Sequence, residues 1–217
     1  MRRSNSLTRL IATLLSFPGQ LRSITRNYYP IKSPDSLAKQ YKQAYSSGIS
    51  TLSLDLGCGN APRNPFGAKS VFGVDLNPNL SYTNANIKIA DLSTDDIPYD
   101  TSSFDYCTAY DVLEHIPRLS WPLGKRRASF IELMNEIFRI LKPNGLFLYS
   151  VPVFPSKKVF QDPTHVNMMT EDTIPIYFSN PGSLANQLGY GFTGNFDLLE
   201  QRWIKGSWIA GILVARK

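Results

Sequence analysis

Cysteine and histidine are scarce here, with two of each among 217 residues. Cys58 and Cys107 supply neither a disulfide framework nor the paired spacing of a zinc site, so a reducing compartment, the cytoplasm, is the expected address. No apolar run approaches the roughly 20 residues that a membrane-spanning helix requires. Acidic residues are absent from positions 1–34, which carry Arg2, Arg3, Arg9, Arg22, Arg26 and Lys32. Beyond that stretch 17 basic residues meet 17 acidic ones, so the net charge of +6 belongs to the terminus. A neutral body gives no sign of a face built for nucleic acid.

The composition that remains, 42% hydrophobic with 12% aromatic residues, excludes a wholly disordered chain and suits one domain over 35–217 behind an extension over 1–34. In the extension, Leu7, Leu10, Ile11, Leu14 and Leu15 recur at helical spacing until Pro18 and Gly19. Three readings stand side by side. One is a basic amphipathic helix touching an anionic membrane through residues 7–21, another an organelle transit peptide, and the third a helix packing its stripe on the domain.

From Leu52 the chain alternates. Strands are predicted at 52–56, 71–75, 87–90, 104–110 and 146–153, and an earlier helix from Ser33 or Asp35 to about Ser47. Phe130, Leu133, Met134, Ile137, Phe138 and Leu141 form the clearest helical stripe, closed by "KPNG" at 142–145. Strands joined by crossovers argue for a parallel sheet with helices on both faces. "FDLLEQRWI" and "SWIAGILVAR", separated by "KG", read as a hairpin that finishes it.

The stretch "LSLDLGCGNAPRNPFGAKSVFGVDLNPN" (52–79) combines a strand, a glycine turn and a second strand tipped by an acid. A dinucleotide site would have a third glycine at 62, where Pro62 stands. Four acids, Asp55, Asp75, Asp91 and Asp111, fall at or just past strand ends, where open parallel sheets bind ligands. No lysine or arginine lies within the turn. Such a ring repels phosphates and welcomes a cation with free hydroxyls. S-adenosylmethionine, with its sulfonium, ammonium, ribose diol and adenine amine, answers that description.

"LDLGCGN" (54–60), "GVDLNP" (73–78), "ADLSTDDIPYDTSSFDYCTAYDVLEHI" (90–116) and "EIFRILKPNGLFLYSVP" (136–152) together resemble the successive motifs of class I S-adenosylmethionine-dependent methyltransferases of the type 11 kind. The resemblance implies a Rossmann-like seven-stranded sheet, parallel except for its C-terminal antiparallel hairpin. It also implies roles. Gly57 and Gly59 would admit the methionine part of the cofactor, and Asp55 would hold its ammonium end. Asp75, with Leu76 beside it, would accept both ribose hydroxyls. Asp91 would accept from the adenine amine, near the Leu92 backbone, and Tyr110 and Asp111 would face the reacting methyl. Asp55, Asp75 and Asp91 also have a plainer reading as turn-forming caps.

His115, in "DVLEHI", and His165, in "FQDPTHVNMMTEDTIPIYFS", are the candidate catalytic residues, since neutral imidazole is the usual base for a hydroxyl. The His165 loop resembles one in methyltransferases encoded with surface-polysaccharide and sugar-modifying enzymes, which implies a small sugar-like acceptor and O-methylation. Local structural roles stand beside both readings. Asp111, Glu114 and His115, at i, i+3 and i+4, would share one face if helical and, with His165, could bind a metal. That pattern is similar to the Glu-x-x-Glu-His set of metal-dependent small-RNA 2′-O-methyltransferases, with Asp in place of the first Glu. A third reading is a module with the fold but no turnover.

Overall fold

The computed structural model describes residues 30–45, 50–79 and 86–217. The stripe at 7–15 lies outside them, as does the expected helix end at Ser47 and Gly48. Helix α1 (Asp35–Tyr45) begins where Ser33 Oγ accepts the Asp35 N–H at 3.1 Å, and Asp35 and Lys42 complement its dipole at the two ends.

Seven strands follow: β1 (Leu52–Leu56), β2 (Ser70–Asp75), β3 (Ile87–Ile89), β4 (Phe104–Tyr110), β5 (Leu141–Pro152), β6 (Phe196–Ile204) and β7 (Trp208–Ala215). They form one sheet in the order β3-β2-β1-β4-β5-β7-β6. β7 alone runs against the others, pairing antiparallel with both β5 and β6. The expected hairpin is closed by the three residues 205–207, with Lys205 and Gly206 at positive φ (49° and 65°), the left-handed backbone that tight hairpin turns use.

Period-two alternation divides the core into two layers. Phe147 and Tyr149 of β5 face α2 (Ser129–Ile140), whose buried Phe130, Leu133, Met134 and Ile137 realise the predicted stripe. Leu146 and Leu148 face the other way, toward Leu37 and Ala38 of α1. Both cysteines are free and buried.

Two details differ from the sequence expectation. β5 starts at Leu141 rather than 146, because Leu141 pairs with Phe104 and the "KPNG" turn is absorbed by a register shift, with Asn144 at φ 61°. The β1–β2 crossover contains no helix. There the chain lies flat, with Phe66 stacked on Tyr106 at 4.3 Å, and Cys58 and Pro62 pack where Gly73 leaves room.

Candidate active site

Strand order reverses between β1 and β4, so the crevice beyond their carboxyl ends is where an open sheet receives its ligand. Gly57 leaves β1 at φ 61° and donates its N–H to Val74 O at 2.8 Å. A Cβ there would run into the Val112 side chain. Gly59, at φ 56°, has open space where a Cβ would stand. Its N–H binds Asp75 Oδ2 at 2.9 Å, while Asp75 Oδ1 takes the Asn77 N–H at 3.0 Å. Asp75 thus ties the tip of β2 to the glycine turn, and its half-buried oxygens keep lone pairs for a ligand.

Asp55 is fully buried. Thr108 Oγ1 donates to its Oδ1 at 2.6 Å and the Arg63 N–H to its Oδ2 at 2.8 Å. The Arg63 guanidinium folds back to 3.6 Å from the same oxygen. Arg63, just past the glycine turn, thus brings a cation to this end of the crevice: without a helix after β1, residues 60–63 curl over the acid. Burial raises the Asp55 pKa above 3.8, against the Arg63 and Thr108 hydrogen bonds. Cys58, pushed up to about 12 by burial and then by Asp55 and Asp75, is a packed thiol and no nucleophile.

The remaining predicted cofactor residues spread along the same edge. Leu76 is exposed and Leu92 buried in the core. Asp91 Oδ1 accepts the Ser93 N–H at 2.9 Å, the cap geometry of the plainer reading. Tyr110 turns its hydroxyl to Asp35 Oδ1 at 2.9 Å, and Arg63 lies over its ring at 5.0 Å. Asp111, at φ 53°, accepts from Trp208 Nε1 at 2.9 Å.

Asp111, Glu114, His115 and His165 line one cavity of about 450 Å³, with Lys158 and Trp208 among its walls. Two segments meet there. Leu113–His115 is a 3₁₀ turn after β4, and the 162–169 loop follows α3 (Lys158–Gln161). The Val166 and Asn167 N–H groups both bind Glu114 O at 2.9 Å, and the buried Asn167 donates to Leu113 O at 3.1 Å while accepting from Arg118 Nε at 2.9 Å. Sequence reasoning missed Asn167, Arg118 and Trp208. Asn167 sits two residues after His165 and was the one readable signal among them.

The imidazoles of His115 and His165 stand 4.8 Å apart, edge to face. His165 Nδ1 lies 3.0 Å from Val159 O, and His115 Nδ1 lies 3.1 Å from Thr164 Oγ1. Glu114 is 2% exposed, and neither of its carboxylate oxygens has a hydrogen-bond partner. Burial raises its pKa to about 8, and Asp111 and Asp162 add to the effect.

Sheet order, reversed last strand and acid-lined glycine turn at the switch point define a Rossmann-like methyltransferase fold. Residues 54–149 match the family model of the methyltransferase domain. Solved structures share the architecture at low identity. A methyltransferase from Aquifex aeolicus is 12% identical, with a TM-score of 0.54 over 84% of this chain and 89% of that one. Phosphoethanolamine N-methyltransferase 2 of Haemonchus contortus, in complex with S-adenosyl-L-methionine, is 13% identical, with a TM-score of 0.54 over 84% and 53%. The [4+2]-cyclase SpnF is 13% identical, with a TM-score of 0.52 over 84% and 80%. No curated protein matches the chain in sequence. Residues 54–149 therefore carry a methyltransferase domain, which supports an enzyme that takes a methyl from S-adenosylmethionine to an acceptor substrate. Among the described residues, no helix is long and apolar enough to cross a membrane.

Proposed function

We propose that the enzyme methylates an oxygen of a small, polyhydroxylated, sugar-like acceptor. The acceptor sits in the cavity beside His115 and His165, and these two are the catalytic residues. The cofactor lies along Asp55, Gly57, Gly59, Asp75, Leu76, Asp91, Leu92, Tyr110 and Asp111. The observation that carries the reading is the meeting of both histidines of the chain in one cavity directly past β4. Asp111 bridges the cofactor edge and that cavity.

Methyl transfer breaks the carbon–sulfur bond as the carbon–oxygen bond forms, and S-adenosylhomocysteine departs. The acceptor oxygen must stand in line behind the methyl, so positioning supplies much of the rate. The hydroxyl must also shed its proton, and the two imidazoles are the groups suited to bring that about.

The test is incubation of the full chain with methyl-labelled cofactor and a panel of free and nucleotide-linked sugars, with a short RNA bearing a free 3′ diol beside them. Label on a sugar oxygen, falling about 10²–10⁴-fold in His165→Ala while cofactor affinity holds, is the expected result. Label on the RNA alone would replace the acceptor reading.

A further inference from the structure

We propose that Glu114, His115 and His165 bind a divalent first-row transition-metal ion in the acceptor cavity. One donor atom from each residue lies within 4.8 Å of the others. Metal–ligand distances of about 2.0–2.2 Å bring donors to roughly 3–4 Å of each other, which small side-chain rotations achieve.

The hydrogen bonds around the rings fix what those donors are. Val159 O can only accept, so His165 carries its proton on Nδ1 and presents a bare Nε2. The Thr164 hydroxyl spends its proton on Asp162 Oδ1 at 2.6 Å, so toward His115 Nδ1 it too can only accept. His115 is thereby the same tautomer, with Nε2 left bare. An outer partner on Nδ1 is the usual support of a metal-ligating histidine.

Glu114 completes the set. Its two buried oxygens receive no donor, and the nearest imidazole nitrogen, His165 Nε2, stands 3.9 Å away. Two imidazole nitrogens and a carboxyl group therefore converge, with no neighbouring donor turned onto either Glu114 oxygen. Buried carboxylates are ordinarily paired or hydrogen-bonded, or coordinate metals, and a cation would satisfy all three groups at once. Asp111 and Asp162 line the same cavity and deepen its negative potential, while Lys158, also in the wall, is the opposing charge. Two imidazoles with one carboxylate favour zinc, manganese or iron over magnesium and calcium, and three protein ligands leave positions open.

Those open positions connect the ion to catalysis, a step that rests on the methyl-transfer reading above. Two neighbouring hydroxyls of the acceptor would chelate the ion, and the bound hydroxyl would lose its proton to water in the cavity mouth. The resulting alkoxide takes the sulfonium methyl, with carbon–sulfur cleavage as before.

The experiment is calorimetric titration of tag-free, chelator-stripped full-length protein with Zn²⁺ and Mn²⁺, beside Glu114→Gln and His165→Ala. Circular dichroism verifies that each is folded. One ion per chain in the wild type, weakened at least tenfold in each folded variant, is the expected result. Absorption bands of a Co²⁺-loaded wild type, absent from His165→Ala, would support it without any activity assay. No ion bound by the wild type, or equal binding by both variants, overturns the site. Turnover on an identified acceptor that ignores chelator overturns the ion's catalytic role while methyl transfer stands. An ion bound with no sugar methylated upholds the site and removes the sugar reading instead.

Discussion

Asp75→Ala should separate cofactor recognition from stability. Its two carboxylate oxygens already accept the Gly59 and Asn77 N–H groups, so the side chain shapes the glycine turn, and in the proposed cofactor placement it also accepts from the ribose. A charge-assisted hydrogen bond contributes about 1.5–3 kcal/mol. Two ribose hydroxyls return to water when the carboxylate is removed, so the net loss in binding should be about 2–4 kcal/mol, roughly a 30- to 1,000-fold rise in Kd. The two backbone N–H groups can also hydrate, so the fold should lose only about 1 kcal/mol. Calorimetric titration with S-adenosylhomocysteine avoids turnover and reads the first quantity, while thermal unfolding reads the second. Asp75→Asn should not restore affinity. Both partners are obligate donors, and the amide nitrogen would have to face one of them. A folded Asp75→Ala protein that binds within threefold of wild type would refute the placement of the ribose.

Asp55 gives the opposite expectation for the same change. One of its partners is the Thr108 hydroxyl, which can turn to accept from an amide, so Asp55→Asn should fold. Because burial raises the Asp55 pKa above 3.8, the folded state holds that proton more tightly than the unfolded chain. Wild type therefore loses stability as pH rises from 3.8 through the folded-state value, and the variant does not. Urea midpoints at about pH 4 and pH 7 should show the variant gaining on wild type toward neutrality, and a constant difference would contradict the burial argument. Gly57→Ala should cost about 1–2 kcal/mol for its left-handed backbone, plus the collision with Val112, and abolish cofactor binding. Unchanged melting and binding would show that the turn relaxes freely. Deleting residues 1–29 keeps the Ile31–Ile204 bridge and every proposed cofactor residue, so affinity should stay within twofold while any binding to anionic vesicles disappears. Vesicle binding by the shortened chain would remove the membrane reading of residues 7–21.

The sheet was legible because local rules write it. Short apolar runs buried on both faces mark the central strands, and the glycines at 57 and 59 adopt the positive φ that a turn after β1 needs. Acids at strand ends need no long-range information to be recognised as ligands in waiting. What the sequence hid depends on distant contacts. Arg63 reaches Asp55 because no helix follows β1, and its absence reflects how Cys58 and Pro62 pack against Gly73. Trp208 meets Asp111 only because β7 reverses and brings its first residue beside Pro152.

The histidine cavity falls between these extremes. Spacing suggested that Asp111, Glu114 and His115 share a helical face, but the segment forms only a 3₁₀ turn. Ile116 is held extended, at ψ 116°, before Pro117, which leaves no length for an α-helix. Asp111 sits before the turn at φ 53° and accepts from Trp208. Glu114 points inward, and the 162–169 loop closes over it, hung from its carbonyl by Val166 and Asn167. The backbone of Glu114 thus places His165 opposite the side chain of Glu114. Asn167 locks that placement through Leu113 and Arg118, so a change at Asn167 should disturb the histidine pair without touching either ring. Asn167→Ala should accordingly weaken zinc binding and turnover together, with cofactor affinity retained. Equal zinc affinity in that variant would show that the loop holds its shape without the clamp.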